Sequence, residues 1–146
     1  MANKINARIE SELEVKTYIQ DLKFALNNGA QINFQARRRV DENREEKYTN
    51  QYTINTLFPN ENPVDAIKRE LLTLSVEDYM QTVKDMRFPK RSEMREFGKV
   101  YNGTDDVYIK IRVELLGIYG NTTTFVMSFH YAERAFMPEM FPYRKK

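Results

Sequence analysis

The sequence predicts an α+β fold in which N-terminal helices pack on a C-terminal antiparallel β-meander. Three observations predict it: apolar residues recur at helical spacing in the first half, they alternate strictly in the second, and turn signals separate the alternating runs. At 146 residues the chain fits one domain spanning 1–146, which buries roughly 70% of the surface of its unfolded chain.

Ile9, Leu13, Val15, Tyr18, Ile19, Leu22, Phe24 and Ala25 predict an amphipathic helix over about 7–27, stopped by Asn27-Asn28-Gly29. Ile32-Asn33-Phe34-Gln35-Ala36 alternates and predicts a short strand that ends at Arg37-Arg38-Arg39. From Val40 to Asn62 the chain is polar, with Tyr48, Tyr52, Ile54, Leu57 and Phe58 interspersed. It reads as a helical turn and a loop whose aromatics belong to the core, with a partner surface as the alternative.

Asn62-Pro63 is a helix start, because Asn caps and Pro is pre-set for the first helical position. Val64, Ile67, Leu71 and Leu72 continue that helix, and Ser75-Val76-Glu77-Asp78, resembling a capping box, predicts a further short helix over about 76–83. Met94 to Val100 predicts a strand with a bulge at Gly98, since Phe97 and Val100 cannot otherwise share a face. Asn102-Gly103 and Gly117 to Asn121 mark turns. Between and after them, Val107, Ile109, Ile111, Val113 and Leu115 alternate with polar residues, as do Phe125, Met127 and Phe129. The result is a three-stranded meander with one apolar face toward the helices and one open polar face. A short extension follows after about residue 134, through Ala135 to Phe141-Pro142-Tyr143 and a basic tail, either to cover part of the sheet or to bind a partner.

Composition excludes several chemistries. With no cysteine, disulfides, a cysteine nucleophile and a thiolate zinc site are ruled out. A single histidine, His130, rules out a multi-histidine metal site, so no metal and no cofactor are expected. No apolar run is long enough to span a membrane, and the first residues lack a signal-peptide segment, so a cytoplasmic protein is expected. Lys and Arg total 23 against 21 Asp and Glu, so bulk charge does not argue for nucleic acid. The basic residues do cluster, at Arg37 to Arg39, from Lys84 to Lys90-Arg91, at Lys110 and Arg112, and in the tail. Taken singly, each cluster reads as a solvated face.

The chemistry-bearing residues gather on the open face. Pairing Leu116 with Thr122 keeps both apolar sets inward, which sets Ile109 against Phe129, Ile111 against Met127 and Val113 against Phe125. Tyr108 then falls opposite His130 and Lys110 opposite Ser128, while a two-residue shift would set Lys110 against His130 instead. Such a group suits phosphodiester cleavage. Histidine titrates near neutrality and serves in acid and base steps, a cation stabilises the charged transition state, and tyrosine holds a hydroxyl or stacks on a base. The plain alternative is a half-exposed strand face covered by ordinary β-formers.

Leu74-Ser75-Val76-Glu77-Asp78-Tyr79, the Glu96-Phe97-Gly98 strand, Val107-Tyr108-Ile109-Lys110 and Met127-Ser128-Phe129-His130 occur in the order and spacing of the MqsR (motility quorum-sensing regulator) family of type II toxins. The resemblance covers about residues 70–131, and the N-terminal half agrees in outline. It implies a RelE-like fold, metal-independent cleavage of messenger RNA and a neutralising antitoxin protein. Tyr108 and Lys110 resemble the family's catalytic tyrosine and lysine, and His130 stands where the best-known member has lysine. Arg95 stands where the family has glutamine. Gln81 falls near a family lysine, with Lys84 the nearest basic substitute. On this reading His130 exchanges protons, Lys110 and Arg95 hold the phosphate, Tyr108 orients or stacks, and Arg112, Lys84, Gln81 and Arg91 bind RNA. Two other readings stand beside it: a phage or mobile-element protein that blocks a host nucleoprotein such as a CRISPR effector, and a non-catalytic RNA-binding module.

Overall fold

The computed structural model describes residues 5–37, 45–116 and 121–145. It is an α+β fold built on a six-stranded sheet of order β1-β3-β4-β5-β6-β2. In chain order the elements are β1 (Ile5–Arg8), α1 (Glu12–Asn27), β2 (Gln31–Phe34), α2 (Asn50–Leu57), α3 (Pro63–Leu71), β3 (Tyr79–Asp85), β4 (Met94–Tyr101), β5 (Asp105–Leu116) and β6 (Asn121–Tyr131). β3 to β6 form an antiparallel meander, β1 extends it beside β3, and β2 runs parallel to β6 on the other edge. Among the described residues no helix is long and apolar enough to cross a membrane. The expected turn at Gly117 to Asn121, like Arg38, Arg39 and the segment to Arg44, lies wholly or mostly outside the described residues.

α1 begins later than its apolar spacing predicts because Ser11 caps it. The Ser11 hydroxyl accepts from the Glu14 amide at 3.1 Å, and the Glu14 carboxylate accepts from the Ser11 amide at 3.1 Å. This is a Ser-x-x-Glu capping box, so the chain before it is free to pair as the edge strand β1. Val15, Ile19, Leu22 and Leu26 of α1 are buried in one core with Ile54, Ile67, Leu71, Ile109, Ile111, Val126 and Phe129. α3 starts as expected, with Asn62 accepting from the Val64 and Asp65 amides at 3.0 and 3.2 Å.

The helix expected over 76–83 is a correction. Its capping box forms, but only one 3-10 turn, Val76–Asp78, follows. Tyr79, Thr82 and Val83 are aromatic or β-branched and pair with β4 instead. The meander therefore has one strand more than expected. The bulge expected at Gly98 is also absent: β4 pairs with β5 without a register shift from Met94 to Tyr101. Val100 simply faces away from Phe97, at 48% exposed against 0%.

The polar stretch before α3 is the least readable in the sequence, and it holds a helix that edges the sheet. β2 ends at Phe34, and beyond it α2 takes over the pairing of β6 with side chains. The Asn50 amide donates to the carbonyls of Gln35 and Met127 at 2.8 and 3.0 Å. Its oxygen accepts from the Phe129 amide at 2.9 Å, and Thr53 Oγ1 accepts from the Tyr131 amide at 2.9 Å. These bonds fix β6 on either side of His130. Replacing buried Asn50, 2% exposed, by alanine strands these backbone groups and should cost about 2–4 kcal/mol. Urea unfolding checks this, and a midpoint equal to wild type would show that the bonds are not needed.

Candidate functional site

The sheet face turned away from the helices carries ordered rows of side chains. Gly98, Tyr108 and His130 lie side by side across β4, β5 and β6. One step along come Gln81, Glu96, Lys110 and Ser128, and one step further Val83, Met94, Arg112 and Phe125. Successive rows are two residues apart, about 6.8 Å of strand rise.

The expected pairs Tyr108 with His130, Ile109 with Phe129 and Lys110 with Ser128 are all present. Beyond Lys110 the expected register is wrong. β6 carries a bulge at Met127, so Ile111 pairs with Val126 rather than Met127, Val113 with Thr124 rather than Phe125, and Leu116 with Asn121 rather than Thr122. Val126 turns into the core at 0% exposed, and Phe125 joins the open face, where the Arg112 guanidinium lies 4.6 Å from its ring centroid. Asn50, bonded to the Met127 carbonyl and the Phe129 amide, sits at the bulge.

The Tyr108 and His130 rings lie 5.3 Å apart, tilted by 38°. His130 Nδ1 lies 2.9 Å from the Tyr131 carbonyl. A carbonyl only accepts, so Nδ1 carries the proton and Nε2 is the nitrogen able to take one up. Residues 132–145 form a strap that returns across this face. The Phe136 amide donates to Asp106 Oδ2 at 2.8 Å, the Phe136 and Phe141 rings meet edge to face at 5.4 Å, and the Tyr143 hydroxyl donates to the Glu10 carbonyl. Between strap and sheet lies a cleft of about 360 Å³, lined by Met80, Tyr108, Lys110, Ser128 and His130 below and by Ala132, Glu133, Arg134, Phe136 and Met140 above.

Gly98 is where the strap seats. A β-carbon there would stand 2.7 Å from Phe136 and 2.8 Å from Phe141, so the glycine marks a close approach of rings. Gly98→Ala should loosen the strap and cost about 1–3 kcal/mol as overpacking. Limited trypsin digestion followed by mass spectrometry checks this: cleavage at Arg134 should quicken, and an unchanged rate would contradict the seating.

The remaining site residues divide. Gln81 stands on the open face and donates to Glu96 Oε1 at 2.9 Å. Arg112 is on the face at 9% exposed, and Arg91 reaches it from the loop after β3, 4.1 Å above the Phe88 ring. Lys84 points to the helix side with Thr82 and donates to the Arg91 carbonyl. Arg95 is the main correction. It has the parity of Phe97, so it faces the helices, bonds Glu10 at 2.8 Å and lies 4.3 Å from the Tyr18 ring centroid. It does not stand beside Lys110. Glu96 does, directly opposite it on β4. Glu96, Met80 and Phe88 are parts of the site that the sequence did not single out, whereas the strap is the C-terminal extension in one of the two places expected for it, over the sheet.

The loop between β3 and β4 is tied down by Asp85, whose carboxylate accepts from Arg87 at 2.7 and 2.9 Å. The Arg87 hydrogen bond holds the Asp85 carboxyl down from 3.8 to about 2. A depressed carboxylate stabilises the fold above its unfolded pKa, so this tie is complete above about 3.8 and is lost as the pH falls toward 2. NMR titration should give Asp85 a midpoint near 2 that returns to the ordinary range in Arg87→Ala. An ordinary midpoint in the wild type would refute the tie.

Fold and site together define an α+β protein with a strap-roofed cleft of aromatic, basic and imidazole groups on the open face of its sheet. No protein-family model matches the chain, and neither a curated protein nor a solved structure is significantly similar to it. Among the described residues no group of three or more His, Cys, Asp or Glu is placed to hold a metal ion.

Proposed function

We propose that the protein is a cytoplasmic toxin of the MqsR kind, a metal-independent endoribonuclease that cleaves messenger RNA and is neutralised by an antitoxin protein. The observation that carries the reading is the close approach of the Tyr108 and His130 rings, 5.3 Å apart and tilted by 38°, with Lys110 two residues along β5 in the same cleft. His130 Nε2 takes the proton of the 2′-hydroxyl as it attacks the adjacent phosphorus, and the bond to the 5′-oxygen breaks. The protonated imidazole, or water, returns a proton to that oxygen. Lys110 compensates the charge that builds on the phosphate, and Tyr108 orients the hydroxyl or stacks on a base. Glu96 and Gln81 stand beside Lys110 where Arg95 was expected; a carboxylate cannot hold a phosphate, so on this reading that role falls to Lys110.

The test is expression in a bacterial host of the wild type beside His130→Ala and Tyr108→Phe. The wild type should halt growth with loss of transcripts, and the variants should not. Equal growth with intact transcripts in all three strains would sink the reading. The displacement of Arg95 to the helix side favours a second one, a non-catalytic RNA-binding module. Salt-dependent RNA affinity without turnover would identify it.

A further inference from the structure

Beside the cleft, toward the β3–β4 loop, lies a recess of about 200 Å³ walled by Phe88, Arg91, Ser92, Met94, Arg112 and Met127, with Asp85 and Arg87 at its rim. Its floor is unusual. Arg112 is 9% exposed, yet its Nε has no hydrogen-bond partner. A buried guanidinium donor left unsatisfied is costly, and it marks a place where an acceptor belongs.

The charges around it sort themselves. Arg87 is held by Asp85 at 2.7 Å, and one terminal nitrogen of Arg112 stands 3.4 Å from Glu114. Ser92 spends its hydroxyl proton on the Val113 carbonyl at 2.9 Å. Arg91 has no carboxylate within ion-pair distance among the described residues; its guanidinium lies 4.1 Å from the centroid of the Phe88 ring, and Phe88 is 43% exposed. Two guanidinium groups therefore border the recess, Arg112 with its buried, unpaired Nε at the floor and Arg91 at the wall, next to a half-exposed aromatic ring. The acceptor chemistry that fits a pair of guanidinium groups is a phosphate oxygen, and a ring flanking a phosphate site is a stacking platform for a base.

The place of the recess specifies which phosphate. Arg112 follows Lys110 on the same face of β5, about 6.8 Å along the strand, close to one phosphate-to-phosphate step of an extended nucleic-acid strand. We propose that the recess is a subsite for the phosphodiester one nucleotide away from the linkage at Lys110, with the attached base on Phe88. The inference rests on the proposed RNA reading and sharpens it: the substrate is single-stranded RNA gripped at two successive phosphates along β5.

The experiment uses 2′-O-methyl RNA oligonucleotides, which cannot be cleaved through the 2′-hydroxyl, and measures their binding to the whole chain from 50 to 300 mM salt (roughly the range in which counterion release is read). Arg112→Gln and, because Arg112 is buried, the independent surface variant Arg91→Ala are compared with wild type. Each should weaken binding about tenfold and lower the slope of log affinity against log salt by about 0.7. Phe88→Ala should weaken binding with the slope unchanged. Wild-type affinity and slope in both arginine variants would overturn the subsite while leaving the RNA reading intact. If wild type binds inorganic phosphate but no oligonucleotide, the subsite and the RNA reading fall together.

Discussion

On the proposed reading, replacing His130 by glutamine, which keeps an amide donor for the Tyr131 carbonyl but cannot titrate, should lower RNA cleavage by about 10²–10⁴-fold while the fold persists. The expectation follows from the tautomer. With Nδ1 committed to the Tyr131 carbonyl at 2.9 Å, all proton exchange falls to Nε2, and no second histidine exists to replace it. The histidine backbone is held independently of its side chain, by Asn50 at Phe129 and Thr53 at Tyr131. Loss of activity should therefore come without loss of secondary structure by circular dichroism. Lys110→Met should cost about 10²–10³-fold, the scale for removing one electrostatic stabiliser. Retained cleavage in His130→Gln would move the chemistry to another group.

Arg95→Ala has the opposite signature, a large loss of stability with cleavage per folded molecule retained. Arg95 lies against the helices, bonded to Glu10 at 2.8 Å, and Glu10 is 5% exposed. Glu10 also accepts from Thr82 at 2.5 Å, and the Tyr79 hydroxyl bridges the Glu10 amide at 3.0 Å and Thr82 at 2.8 Å. Removing the guanidinium leaves the buried carboxylate with only the longer contact to Arg8 at 4.0 Å, which puts the loss at the low end of the range of about 3–5 kcal/mol for breaking a buried pair. Because Glu10 is the residue left stranded, adding Glu10→Gln should restore part of that loss. Denaturant unfolding of the single and double variants measures both. A stable Arg95→Ala with abolished cleavage would return Arg95 to the site.

The fold class was legible because the periods are clean where they matter. Alternation along β5 is unbroken from Val107 to Val113, and it places Tyr108 and Lys110 on the open face. Arg95 was legible too, since it shares the parity of Phe97, but the family position outweighed the alternation. The register beyond Lys110 was not, because Phe125-Val126-Met127 is apolar at every position and carries no period. What settles it is Asn50, 77 residues away from Met127, and a side chain that reaches across that separation leaves no local signal. The helix expected after Ser75 failed for the converse reason. Its cap was local and real, but pairing with β1 and β4 decided what followed. That the C-terminal extension covers the sheet was legible as one of two alternatives, but its seat on Gly98 was not, because the approach of Phe136 and Phe141 exists only once the sheet has formed.

The claim that the open-face cleft cleaves RNA through the 2′-hydroxyl is tested most directly by the chemistry of the ends it makes. Transcripts from cells producing wild type or His130→Gln at matched levels are assayed for 3′ ends bearing a 2′,3′-cyclic phosphate. The account expects such ends to accumulate with the wild type and to be absent with the variant. Their absence with the wild type, or equal abundance with the variant, would contradict it.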